Sequence, residues 1–142
     1  MSIEDAEKEL VGEFEIFDDW MAKYEYIIDL GKDVPMINEK FKDEAHTIKG
    51  CQSKVWLHSE MKDGFIYYTA DSDAMITKGL VAMVVRVLSG HTPEQILSAD
   101  MNFINKIGLH EHLSPTRSNG LMAMIKQIKL DALAYREISK KN

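Results

Sequence analysis

One cysteine occurs in 142 residues, Cys51 in the stretch "TIKGCQSKVW". The thiolate is the reactive form of cysteine, and the free thiol titrates near pH 8.5. A lone thiol at neutral pH therefore needs a lowered pKa or a partner to exchange quickly. Gly50 in front of it gives the backbone freedom to turn and lets another surface come close. Gln52 and Ser53 place hydrogen-bond donors beside the sulfur, and Lys49 and Lys54 offer positive charge. The ordinary alternative is a buried, inert thiol acting as a small hydrophobe. Local sequence alone leaves both open.

Other residues with chemical potential are fewer. Arg117 falls in the first turn of a long C-terminal helix, where a cation opposes the helix dipole. Such a placement asks for an acidic partner, with Asp71 and Asp73 as candidates, or for a ligand. A plain ion pair or an exposed side chain is the simpler account. His110 and His112 flank Glu111 in "LHEHL". With Cys51 they have the ligand types of a zinc site, or of a Cys-His nucleophile. The H-x-H spacing demands neither, and these histidines are expected at the surface. His46 and His58 flank the cysteine, and His58 is expected on the solvent face of a strand. No Gly-rich phosphate loop, usable carboxylate pair or C-x-x-C motif occurs.

The elements that must position these groups follow from periodicity. Ser2-Ile3-Glu4-Asp5 resembles a capping box opening a first helix. Ile16, Phe17, Trp20, Met21, Tyr24, Ile27 and Ile28 recur at helical spacing. Asp18 or Asp19 caps that second helix, and Gly31 ends it as a left-handed cap. "GKDVPMINEKFKDEAHT" reads as a loop with one short turn. Two strand-like runs then flank Asp63-Gly64, a strong hairpin signal. A two-residue turn sets Met61 opposite Ile66 and Leu57 opposite Ala70. Val55, Leu57, Met61, Ile66 and Tyr68 then share the core face. Ile48 is placed in a third short strand.

"DSDAMITKGLVAMVVRVLSG" reads as a helix capped by Asp71, Ser72 or Asp73, apolar nearly all round and so buried on most sides. Thr92-Pro93-Glu94-Gln95 opens another helix with a capping box. A short helix ends near Gly108. A long last helix starts at Ser114-Pro115 or Thr116 and carries a stripe of Leu121, Met124, Ile125, Ile128, Ala132 and Tyr135. Helices, a hairpin and more helices make an α+β domain, with the whole chain, 1–142, as one unit.

Composition narrows the function classes. The net charge is -6, and eight acidic residues precede Trp20. That balance argues against nucleic-acid binding, which needs a basic face. No apolar run is long enough to span a bilayer, and no signal-peptide pattern opens the chain. A single cysteine permits no internal disulfide, so a reducing, cytoplasmic location is expected.

Five stretches together resemble the SufE family of sulfur-acceptor proteins in iron-sulfur cluster assembly. They are "DDWMAKYEYIIDLGKDVP", "GCQSKVW", "ADSDAMITKGLVAMVV", "LSGHTPEQIL" and "LHEHLSPTRSNGLMAMI". They run roughly from Phe14 to Tyr135, and "GCQSKVW" and "SPTRSNGL" are the specific ones. The resemblance implies a SufE/IscU-like α+β fold, with about three antiparallel strands against several helices. It implies that Cys51 takes sulfur as a persulfide from a SufS-like pyridoxal-phosphate cysteine desulfurase and passes it to an iron-sulfur scaffold. It implies no cofactor or metal held by this chain. Gly50, Gln52, Ser53, Asp71, Asp73 and Arg117 map to the supporting loop and sulfur pocket. One departure stands out. Family members often carry an asparagine shortly before G-C, where this chain reads "EAHTIKGC". His46 or Thr47 must then order the loop. A persulfide on an open loop would be exposed to reductants, so Cys51 is expected to be sheltered at rest.

Overall fold

The structure, a computed structural model, describes residues 1–141. Helix α1 spans Ile3–Glu15 and α2 spans Trp20–Leu30. Three short 3-10 turns follow, at Gly31–Asp33, Glu39–Phe41 and Glu44–His46. Strands β1 (Val55–Lys62) and β2 (Phe65–Ser72) form the sheet. Then come α3 (Met75–Leu88), α4 (Pro93–Ser98), α5 (Phe103–Ile107), α6 (Leu109–His112) and α7 (Pro115–Lys141).

The hairpin has the register that its turn and alternation predict. Met61 pairs with Ile66 and Leu57 with Ala70. Asp63 and Gly64 both take positive φ, 55° and 88°, the backbone a two-residue hairpin turn needs. The third strand is a correction. Among the described residues the sheet has two strands, and Thr47 makes a single antiparallel bridge to Trp56. The chain turns away at Gly50, whose φ is 94°, before a second pair can form.

Helix α3 is the centre of the fold. Leu80, Val81, Met83, Val84, Val85, Val87 and Leu88 are each at most 1% exposed. Each such side chain contributes about 1.5–3 kcal/mol by leaving water. Helices α1, α2 and α7 and strand β2 all pack on it. Against α2 the approach is so close that a Cβ on Gly79 would lie 1.9 Å from the Ile27 carbonyl oxygen. Gly31 faces Gly79 in the same contact and has φ -58°, so it is a packing glycine and not the left-handed cap.

The start of α3 is a second correction. Its N-cap is Ala74, with no side-chain cap. Asp71 and Ser72 belong to β2 instead, and Asp73 accepts from the Lys54 amide. The other caps stand where the residues place them: Ser2 with Asp5, Asp19, and Thr92 with Gln95.

Helix α7 carries one side of the site and is fixed to the sheet at two points. The buried Tyr68 hydroxyl donates to the Ile128 carbonyl at 3.0 Å. The Tyr135 hydroxyl donates to the Ser59 carbonyl at 2.9 Å. Leu121, Met124, Ile125, Ile128 and Ala132 bury the stripe between them.

Candidate functional site

The loop that carries Cys51 is clamped at its base. The Ile48 amide donates to the Val55 carbonyl at 2.9 Å. At the other end the Lys54 amide donates to Asp73 Oδ1 at 3.1 Å, and the Ser72 hydroxyl donates to the Lys54 carbonyl at 2.8 Å. Between these clamps the chain arches toward the first turns of α7. The Cys51 thiol donates to the Gly120 carbonyl at 3.5 Å. Gly50 comes close to Ala123, so only a small residue fits there at positive φ.

Cys51 is half-buried and lines a cavity of about 260 Å³. Gln52, Ser53, Thr77, Leu80, Ser114, Thr116, Arg117, Gly120 and Met124 form the rest of the wall. Burial pushes the Cys51 thiol above its ordinary range. The resting sulfur is therefore a neutral, sheltered thiol, as a carrier loop was expected to hold it.

Arg117 reaches this cavity, but not through the acids considered for it. Asp71 is taken by Lys42 at 2.7 Å and Lys78 at 3.3 Å. Burial would raise the Asp71 carboxyl, but hydrogen bonds from Lys42, the Ser72 amide and Lys78 outweigh it and hold it below the usual range. Asp73 serves the loop clamp. Neither aspartate lines the cavity. Arg117 is exposed, lines the cavity and forms no ion pair among the described residues. Of the residues named from sequence, Cys51, Gln52, Ser53 and Arg117 come together here. Gly50 shapes the loop and Asp73 acts at its base, while Asp71 is held by Lys42 and Lys78.

No histidine lines the cavity. His112 stacks on Trp20 at 3.9 Å, and His110 pairs with the Ser118 hydroxyl. Both are thus committed elsewhere, against a zinc site or a Cys-His nucleophile at Cys51. Among the described residues no group of three or more His, Cys, Asp or Glu side chains is gathered to hold a metal. Ser114, Thr116 and Gly120 also line the site and were not singled out by sequence reading. Their signal was the "SPTRSNG" run, read there as a helix start. His58 is a further correction: it is half-buried, because Phe41 stacks on it at 3.8 Å, and the same ring leans on the half-buried His46. Before the loop, His46 and Thr47 both bond back to Asp43. The Thr47 hydroxyl donates to the Asp43 carbonyl at 2.7 Å, and His46 binds the Asp43 side chain.

Fold and site together define an α+β domain that presents one sheltered thiol on a clamped loop. A family model described as "SufE: Fe-S metabolism associated domain" matches residues 8–132. An uncharacterised SufE-like protein of Rhizobium meliloti (strain 1021) is 38% identical over 129 residues, covering 87% of this chain and 92% of its own. A second uncharacterised SufE-like protein, from Rhizobium etli, is 37% identical over 129 residues, with 87% of each chain covered. A solution structure of a hypothetical protein from Thermus thermophilus has the same fold, with a TM-score of 0.74 at 19% identity. It covers 91% of this chain and 94% of that one. The chain belongs to the SufE family, and its domain is one associated with Fe–S metabolism. Among the described residues, no helix is long and apolar enough to cross a membrane.

Proposed function

We propose that this protein is a sulfur acceptor and carrier, with Cys51 as the atom that takes the load. The observation that carries this reading is the sheltered thiol itself. The chain's one cysteine sits on a loop clamped at its base, over a cavity whose wall includes Arg117. A sole cysteine can accept sulfur but cannot hold an iron-sulfur cluster, which takes several ligands.

The step is a thiol exchange. The Cys51 thiol loses its proton, and the thiolate attacks the outer sulfur of a persulfide on a cysteine desulfurase. A new S–S bond forms at Cys51 as the donor's S–S bond breaks. The donor's inner sulfur leaves with the electron pair and takes up a proton. No net oxidation occurs. The rate depends on thiolate fraction, leaving-group pKa and access. Arg117 stabilises the anionic sulfur in this reading, and Gln52 and Ser53 donate hydrogen bonds to it. The resting loop keeps the thiol neutral, and docking on the donor moves it out. A scaffold for cluster assembly then receives the sulfur. A reducing cytoplasm suits such an unpaired thiol.

The test is loading followed by intact mass. With a pyridoxal-phosphate desulfurase and cysteine, the protein gains one sulfur atom, and Cys51→Ser does not. A gain that survives Cys51→Ser, or none in the parent chain, overturns the reading. Full stimulation of the desulfurase by Cys51→Ser would instead make the protein a non-covalent regulator.

A further inference from the structure

His46 and His58 form a hydrogen-bonded chain with two carboxylates. His46 Nδ1 lies 2.7 Å from Asp43 Oδ1, and His58 Nε2 lies 3.1 Å from Glu60 Oε1. Ionised carboxylates only accept, so both of these ring nitrogens carry the proton. The other two nitrogens, His46 Nε2 and His58 Nδ1, face each other at 3.3 Å. In neutral rings both of them present lone pairs. Two lone pairs at that distance repel unless something positive lies between them. A proton does this, and so does a metal ion.

The spacing suits a metal as well. Two nitrogens on a tetrahedral zinc, each about 2.0–2.1 Å away, stand about 3.3–3.4 Å apart. A carboxylate on the far nitrogen of each ring is also the usual support for a metal-binding histidine, because it fixes tautomer and ring orientation. The Phe41 ring, stacked on His58, holds that imidazole in plane. The pair opens on a cavity of about 300 Å³ that also contains Ser59, Gln127 and Asp131. Gln127 donates to Asp131 at 2.9 Å, and Ser59 is its other hydrogen-bond partner; both are neutral. Asp131 is half-buried beside the two imidazoles, where a carboxylate can balance a cation.

We propose that His46 and His58 are a two-imidazole chelate for a zinc-like divalent transition metal ion, with Asp131 balancing charge from the cavity wall. Among the described residues no third His, Cys, Asp or Glu joins them as a ready-made set, so water completes the shell. The ion would replace the proton between the rings. It would also tie the turn that leads into the Cys51 loop to strand β1.

The experiment is a zinc titration by calorimetry on the full chain carrying Cys51→Ser, which removes the thiol as a competing ligand. Imidazole nitrogen NMR on the parent chain runs beside it. One zinc ion per chain is expected, with shifts at His46 Nε2 and His58 Nδ1 and none at His91, His110 or His112. Asp43→Asn weakens binding roughly 10–100-fold, and His58→Gln abolishes it. No saturable binding, or binding that leaves these two imidazoles unshifted, overturns the proposal. So does a folded His58→Gln chain that keeps its zinc affinity. The NMR readout decides even if His58→Gln does not fold.

Discussion

Gly120 offers a test that separates stability from function. It lies in helix α7, where a glycine costs roughly 1 kcal/mol against alanine. A Cβ placed there meets Cys51 Sγ at 3.5 Å and the Cys51 Cα and Cβ at 3.9 Å. These are ordinary contacts, so Gly120→Ala brings no clash to set against the helix gain. The chain should become more stable by about 0.5–1 kcal/mol. With an unfolding entropy near 0.3 kcal/mol/K for this length, that is roughly 2–3 °C in Tm. The new methyl group stands against Cys51 Sγ on the cavity wall, in space that an incoming sulfur would use. Misplacing that incoming sulfur by an ångström can cost on the order of 100-fold in rate. Sulfur loading from a desulfurase should therefore slow by about tenfold or more while Tm rises. Calorimetry gives the first quantity, and timed intact-mass measurements give the second. A variant that loads at the parent rate refutes the claim that this cavity receives the sulfur. A lower Tm refutes the packing argument.

Two further outcomes follow from the same geometry. Gly79→Ala must separate α2 from α3 by at least about 1.1 Å (3.0 minus 1.9), since a Cβ does not approach a carbonyl oxygen more closely than about 3.0 Å. The net cost is about 2–3 kcal/mol after the helix gain, or roughly 7–10 °C in Tm, and an unchanged melt would show that the helices part freely. For Cys51, burial raises the thiol pKa, so the folded chain keeps its proton to a higher pH than the unfolded chain. Alkylation by iodoacetamide should then lag a free thiol at pH 8, catch up only above the usual thiol range, and match it in denaturant. The same shift stabilises the fold fully below the unfolded thiol pKa and is lost as pH rises through the folded one. A normal titration midpoint in the folded chain would contradict it.

What was legible in the sequence depended on local chemistry. The hairpin register followed from Asp63-Gly64 and strict alternation, and both survive in Met61–Ile66 and Leu57–Ala70. The Thr92 capping box is likewise a four-residue affair. Apart from the third strand, which the turn at Gly50 cuts short, the misreadings fall where a distant residue claims a local signal. Asp71 and Asp73 look like helix caps, but Lys42, Lys78 and the Lys54 amide take their oxygens. Gly31 looks like a left-handed cap, yet its space is set by Gly79 on another helix. His58 alternates as a surface residue, and only the chain folding back with Phe41 buries it. Cys51 could be placed on a loop from its neighbours. That Arg117 and Gly120 wall its cavity could not be read from spacing, because α7 is brought there by Tyr68 and Tyr135.

The resting thiol is unreactive for the reason that makes it useful. Burial holds it protonated, and no cation within the fold is shown lowering it, since desolvation is the cause of its shift. A persulfide left in the open would lose its outer sulfur to any reducing thiol. The barrier that protects it is nevertheless small. One S–H···O contact to Gly120 holds the sulfur, and a thiol is a weak donor. The strong bonds, from Ile48 to Val55 and from Lys54 to Asp73 and Ser72, lie at the base and need not break when the tip moves. Gly50, already at positive φ, can take up the rotation. A partner that supplies a few apolar contacts and an opposing charge thus has enough interaction energy to extract Cys51 without unfolding anything else. Gly50→Ala brings a Cβ to 3.3 Å from the Ala123 Cβ at a positive φ, so it should loosen the resting loop and speed iodoacetamide labelling of Cys51; labelling at the parent rate would refute the hold this glycine gives the loop.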